Sequence, residues 1–337
     1  MKILKLYARE ESKYISYGPE SPLMKEIKKK YDCDEILLKE NASDNEVADI
    51  IRKYDVLLTM WQSPHVPNEL AENPGNLKYI CNITGEMSGW IDYDIIKSPY
   101  ITITNWGDAP AYGVAEGAFS LLMAVMKDIP KHIKEAKENG EGIVTDTQTS
   151  LYKRRIGIYG AGAIGKRFIE FLRPFEPIIY VYDPYIKSIP DGVIITESLE
   201  ELFENSQIIV IHAGLTDATK GSVTGELLSK LPDGGIVINT ARGQIIDYEA
   251  LKAEIISGRL RAGLDVVTEK NMPDINDPIR ECDNVIFTNH HIGTGNWGID
   301  PNTLDFAAQN CLMNLERFSL GQELKFVMTP ERYKLST

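Results

Sequence analysis

Up to about residue 105 the chain alternates short apolar runs with amphipathic ones. KILKLYA, EILLKE, VLLTM, KYICNI and YITITN read as strands. SPLMKEIKKKY and SDNEVADIIRKY carry apolar residues at helical spacing, and Ser43 with Glu46 gives the second a capping box at its start. Strands alternating with helices predict a parallel sheet covered on both faces. A longer helical pattern, about 114 to 138, keeps Ala118, Leu121, Leu122 and Val125 on one face and predicts a connector between domains, kinked at Pro130. From Arg155 the alternation resumes, with RIGIYG, PIIYVYD, QIIVIHA, GIVINTA, LRAGLDVV and NVIF as strands. The polar stretch 138–150, ENGEGIVTDTQTS, is expected to be an exposed loop.

A length of 337 residues exceeds what one core usually serves, so two domains are expected. The net charge of −13 argues against nucleic acid or an anionic membrane surface as partner, since phosphate neutralisation needs clustered Lys and Arg. Cys33, Cys81, Cys282 and Cys311 lack any C-x-x-C spacing, which speaks against a disulfide framework and against a bound metal. The opening MKILKLYARE meets charges too soon for a signal peptide, and no apolar run reaches the length of a membrane span. The default expectation is a cytoplasmic enzyme or sensor.

Gly160-Ala161-Gly162-Ala163-Ile164-Gly165 stands between the strand RIGIY and a helical run. That context gives the G-x-G-x-x-G pattern a mechanism. Gly160 permits a tight turn, Gly162 lets the backbone approach a pyrophosphate, and Gly165 lets the helix pack on the strand. Amides at the helix start, with the helix dipole, then face the anion. Asp183 ends the next strand, 18 residues past Gly165, where a carboxylate would accept bonds from an adenosine ribose and favour NAD over NADP. The remaining landmark is His290-His291, two of only five histidines, just after NVIF.

Several motifs together resemble the D-isomer-specific 2-hydroxyacid dehydrogenases: VINTARGQIIDYEAL (237–251), AGLDVV (262–267), NVIFTNHHIG (284–293), VAE (114–116) and HAGLTDATKG (212–221). The ending FVMTPERYKLST resembles a phosphoglycerate-dehydrogenase-like subgroup. The resemblance covers most of the chain. It implies two parallel-sheet α/β domains: a Rossmann NAD-binding domain, 113–298, inserted into a flavodoxin-like substrate domain, 1–112 and 299–337, with the active site in the cleft between them. The last helix, about 301–320, would pack on the amino-terminal domain.

By the same resemblance Arg242 binds the carboxylate of a 2-oxo acid and polarises its carbonyl, which suits a planar guanidinium better than an ammonium. Asp265 would contact the nicotinamide carboxamide. Further cofactor contacts would come from His212, Ala213, Thr216, Thr240, Ala241 and Gly293. The family's catalytic histidine follows T-P; here Thr288-Asn289 precede His290, so counting from the strand selects His290, while counting back from Ile292-Gly293 selects His291. Strand register favours His290, with His291 as the alternative. The histidine's carboxylate partner usually lies five residues beyond the aspartate, where this chain has Lys270; Glu269, one residue early, is the expected partner.

On the substrate side, NITGEMSGW (82–90) resembles the loop whose amides hold the substrate carboxylate, with Thr84, Gly85 and Glu86 as contacts. Trp61 is expected to face the same cleft. The implied function is NAD-dependent interconversion of a D-2-hydroxy acid and its 2-oxo acid, by a homodimer. The alternative is an NAD(H)-binding sensor or interaction protein.

Overall fold

The computed structural model describes residues 1–10, 17–85, 87–138, 140, 148–186, 188, 190–293 and 303–335. The chain divides into two compact units, Met1–Pro110 with Asn296–Thr337, and Ala111–Gly295. Among the described residues no helix is long and apolar enough to cross a membrane.

The first unit holds five parallel strands: β1 (Lys2–Tyr7), β2 (Asp32–Leu37), β3 (Val56–Thr59), β4 (Tyr79–Asn82) and β5 (Thr102–Thr104), in the order β2-β1-β3-β4-β5. That is the flavodoxin-like order, whose switch point lies between β1 and β3. Successive side chains on a strand face opposite ways, so Leu4 and Leu6 enter one core cluster and Ile3 the other. The helix Phe306–Ser319 closes the second face through Ala308, Cys311 and Leu315, which pack with Ile3, Leu58 and Tyr79. The capping box at Ser43 and Glu46 forms as the sequence suggests, with both reciprocal bonds present.

The second unit holds seven parallel strands: β6 (Arg155–Tyr159), β7 (Ile178–Tyr182), β8 (Val193–Ile195), β9 (Ile208–Ile211), β10 (Ile236–Asn239), β11 (Arg261–Leu264) and β12 (Val285–Phe287). Their order, β12-β11-β10-β9-β6-β7-β8, is the doubly wound Rossmann order extended by one strand. In β9, Ile209 and Ile211 enter one cluster while Ile208 and Val210 enter the other. Burial on both faces explains the unbroken apolar run. Strand β8 was not legible in the sequence: three residues at the sheet's edge, partly buried, leave little pattern.

The expected connector is two helices, Pro110–Met126 and Ile129–Glu138. The break falls at Asp128, not at Pro130. Asp128 takes a left-handed φ of 51°, which ends the first helix, and Pro130 sits in the first turn of the second, where a missing N–H costs nothing. The Asp128 carboxylate accepts from the buried Arg261 guanidinium, which also donates to the Val125 carbonyl. Most of the expected loop 138–150 lies outside the described residues.

Candidate active site

At the carboxyl end of β6 the chain turns through Gly160 at φ 92°. A Cβ there would lie 2.6 Å from the Ala213 amide nitrogen, so glycine lets the loops after β6 and β9 meet at the switch point. A Cβ on Gly165 would lie 2.3 Å from the Gly160 carbonyl oxygen, which is the close helix packing the sequence implied. Gly162 differs: among the described residues no atom lies within 4 Å of a Cβ built there. It caps the helix Ala163–Leu172 with no side-chain bond, so the first amides, at Ala163 and Ile164, face an open cradle suited to a pyrophosphate. Asp183 accepts from the amides of Ala161 and Tyr185, both at 2.8 Å, which fixes its carboxylate beside this loop. Lone pairs remain for ribose hydroxyls.

Beyond β9, both His212 ring nitrogens are shielded and, among the described residues, lack hydrogen-bond partners, as does the buried Thr240 Oγ1 beyond β10. The His212 ring packs 5.2 Å from Phe168, and desolvation pushes its pKa down to about 3. It stays neutral and is no proton carrier at neutral pH. Thr216 is tied into its own turn by Thr219, whose Oγ1 accepts from the Thr216 amide at 2.7 Å. The open cradle and these orphaned polar atoms fit a bound dinucleotide.

The turn after β10 is braced by Asn239, which sequence reasoning had not singled out. Its Oδ1 accepts from the Ala241 amide at 3.0 Å and its Nδ2 donates to the Arg242 carbonyl at 3.0 Å. A Cβ on Gly243 would meet the Val267 carbonyl carbon at 2.4 Å. The turn thus lies directly on the segment following β11, and the Arg242 charge is felt at His290.

Asp265, 3% exposed, organises the histidine loop. Its Oδ1 accepts from Thr288 Oγ1 at 2.6 Å and from the amides of His291 at 3.0 Å and Ile292 at 3.1 Å. Its backbone carbonyl accepts from the His290 amide at 2.5 Å. Opposite, the helix Pro110–Met126 offers Gly113 and Gly117, one turn apart. A Cβ on Gly117 would fall 2.4 Å from the Ile292 carbonyl oxygen, and one on Gly293 would fall 2.6 Å from Val114 Cγ2. Gly113, Gly117 and Thr288 are further residues that sequence reasoning missed; the G-x-x-x-G spacing was the available signal.

The extra residue in T-N-H-H is absorbed by Asn289 and His290, which take left-handed φ values of 51° and 59° in succession. Non-glycine residues rarely do so, and the anchored flanks hold them there. The His290 pKa is lowered, first by burial and then by the Arg242 charge, with Asp265 acting the other way. His291 turns Nδ1 to the Asn289 carbonyl of its own loop. Glu269 is not brought to either histidine. It is exposed and, among the described residues, has no hydrogen bond or ion pair, while Lys270 next to it pairs with Asp274 at 3.0 Å.

In the first unit, Asn82 fixes the loop after β4: its Nδ2 donates to the Thr84 carbonyl at 2.7 Å, and its Oδ1 accepts from Thr59 Oγ1 at 2.9 Å and Trp90 Nε1 at 3.2 Å. Thr84 Oγ1 is buried and, among the described residues, has no hydrogen-bond partner. Trp61, just after β3, packs edge-on against Trp106 with centroids 5.4 Å apart. Glu86 lies outside the described residues.

The chain is similar to known proteins. A family profile described as "D-isomer specific 2-hydroxyacid dehydrogenase, NAD binding domain" matches residues 119–292. Hydroxypyruvate reductase of Thermotoga maritima is 32% identical over 253 residues, covering 74% of this chain and 82% of that protein. D-3-phosphoglycerate dehydrogenase of Methanocaldococcus jannaschii is 29% identical over 269 residues, covering 76% of this chain but 51% of that longer protein. Among solved structures, an acyclic imino acid reductase in complex with NADPH and D-Arg matches with a TM-score of 0.73 at 25% identity, over 97% of this chain and 100% of that one.

Proposed function

Because the chain belongs to the D-isomer-specific 2-hydroxyacid dehydrogenase family, we propose that it interconverts a D-2-hydroxy acid and its 2-oxo acid, with His290 carrying the proton and Arg242 holding the acid's carboxylate. NAD(H), when bound along Gly160–Gly165 and Asp183, supplies or accepts the hydride at the acid's C2. The observation that carries this reading is the junction where Asp265 gathers the histidine loop beside Arg242.

Arg242 presents a planar fork to the carboxylate. In reduction, the His290 imidazolium donates a proton to the carbonyl oxygen; in oxidation, neutral His290 takes the hydroxyl proton. Arg242 depresses the His290 pKa until an anionic acid arrives and offsets its charge. Substrate binding therefore favours the protonated form that reduction uses. Asp265 holds the loop, and its charge acts on His290 in the raising direction expected of Glu269, against the net lowering by burial and Arg242. Thr84, Gly85 and Trp61 contact the substrate.

The helix Ile129–Glu138 buries none of its residues and exposes Ile129 and Ile133, which supports a homodimer through this face. Four free cysteines suit a reducing, cytoplasmic setting.

The test supplies NADH deuterated at C4 together with a panel of 2-oxo acids to the purified chain. Deuterium at C2 of a D-2-hydroxy acid is the expected product. NADH binding without label transfer to any acid would overturn the reading and favour a sensor.

A further inference from the structure

We infer that the substrate's side chain is a bulky apolar or aromatic group rather than a phosphoryl or small polar one. The inference rests on the dehydrogenase reading above and concerns which acid it takes. In a sheet of flavodoxin-like order, ligands meet the carboxyl ends of the strands beside the switch point, here β1 and β3. Trp61 is the second residue after β3, and 43% of this large apolar residue is exposed.

It is not a stray surface aromatic. Its ring stands perpendicular to that of Trp106, which follows β5, and Trp106 in turn lies on the loop after β4. A Cβ on Gly85 would lie 2.3 Å from Trp106 Nε1, so that loop is shaped to receive the indole. The Trp106 amide donates to the Thr84 carbonyl, and its own carbonyl accepts from Asn310 Nδ2 at 2.7 Å. Two indoles are thus fixed across the ends of three neighbouring strands, on a loop whose Thr84 Oγ1 is buried and, among the described residues, has no hydrogen-bond partner.

Charge points the same way. Among the described residues in the four positions that follow the carboxyl ends of β1, β3, β4 and β5, the only lysine or arginine is Arg9. Glu10 and Asp108 lie on the same stretches. A phosphoryl dianion needs convergent cations or a fork of N–H donors; these stretches supply Arg9 alone, and the Arg332 guanidinium that reaches the loop after β5 donates to Asn105 Oδ1 and to the Val327 carbonyl. An indole pair instead offers an edge and a face to an aromatic ring or a branched alkyl group.

The test has two readouts. The first compares kcat/KM for phenylpyruvate and 4-methyl-2-oxopentanoate with that for glyoxylate, hydroxypyruvate and 3-phosphohydroxypyruvate. We expect the apolar acids to lead by at least about tenfold, and Trp61→Ala to lower the phenylpyruvate-to-glyoxylate ratio by about tenfold or more. Trp61→Phe should restore most of that ratio, and both variants are checked for folding by thermal melting. The second is calorimetric titration of the NADH-loaded chain with 3-phenyllactate and glycolate, which measures preference without turnover. Phenyllactate binding at least about tenfold tighter supports the inference. A preference for glyoxylate or the phosphorylated acid, or a Trp61→Ala loss equal for both acids, overturns it. The expected binding order without turnover of any acid would refute the dehydrogenase reading and leave the side-chain preference standing.

Discussion

The loops after β6 and β12 leave the same edge of one sheet, yet each is held in a left-handed turn by different means. After β6 the residue at positive φ is Gly160, and contact with Ala213 makes glycine the only residue that fits. After β12 the positive-φ residues are Asn289 and His290, which glycine would suit better. There the conformation is imposed from outside, by three donors on Asp265 Oδ1 and by the seat of Ile292 on Gly117. A cofactor's phosphates need only open space and amides, so glycine serves. The proposed proton carrier needs a side chain, and the strain is then borne by its anchors.

Removing the anchor should have the largest effect. Asp265→Ala leaves buried donors unpaired, at about 1–3 kcal/mol each, so it should lower the melting temperature by several degrees and reduce turnover by about 100-fold or more. Asp265→Asn keeps an acceptor but loses the charge that raises the His290 pKa. It should move the midpoint of the reductive kcat/KM profile to lower pH. In the intact protein that midpoint should already lie below His's ordinary value, with reduction strengthening as pH falls through it and oxidation weakening. A midpoint above it, in the free enzyme, would contradict the placing of Arg242.

On the other loop, Gly160→Ala adds strain of about 1–3 kcal/mol and should weaken NADH binding, read by fluorescence titration. Wild-type affinity would show that the loop after β6 is more adaptable than its contacts imply. Smaller still, Asn289→Gly gives the histidine loop the glycine solution and should raise stability by about 1 kcal/mol in denaturant unfolding, since a left-handed non-glycine residue is costly. No gain would mean that Asp265 has already relieved the strain. Glu269→Gln should change turnover by less than about twofold, because the exposed carboxylate has no partner among the described residues.

The contrast also explains what the sequence could disclose. The twice-buried strands and the glycine loop were legible because each depends on local composition: apolar runs such as IIVI, or glycines in order between a strand and a helix. The histidine loop depends on distant partners. Asp265 lies 25 residues before His290, and Gly117 much earlier still, so no local pattern announced that one inserted residue would be folded into two left-handed ones. The same limit led the connector's break to be assigned to Pro130, when the buried pair of Asp128 and Arg261 governs it. It also made Glu269 the expected partner by counting, while the Asp265 carboxylate lies at the loop itself.

The measurement that tests the central claim most directly is NADH oxidation with the best 2-oxo acid by the intact chain, His290→Ala and His291→Ala. The account expects His290→Ala to lower kcat by about 10²–10⁴ and His291→Ala by less than about tenfold. Loss confined to His291→Ala would contradict it and make the second histidine the proton carrier.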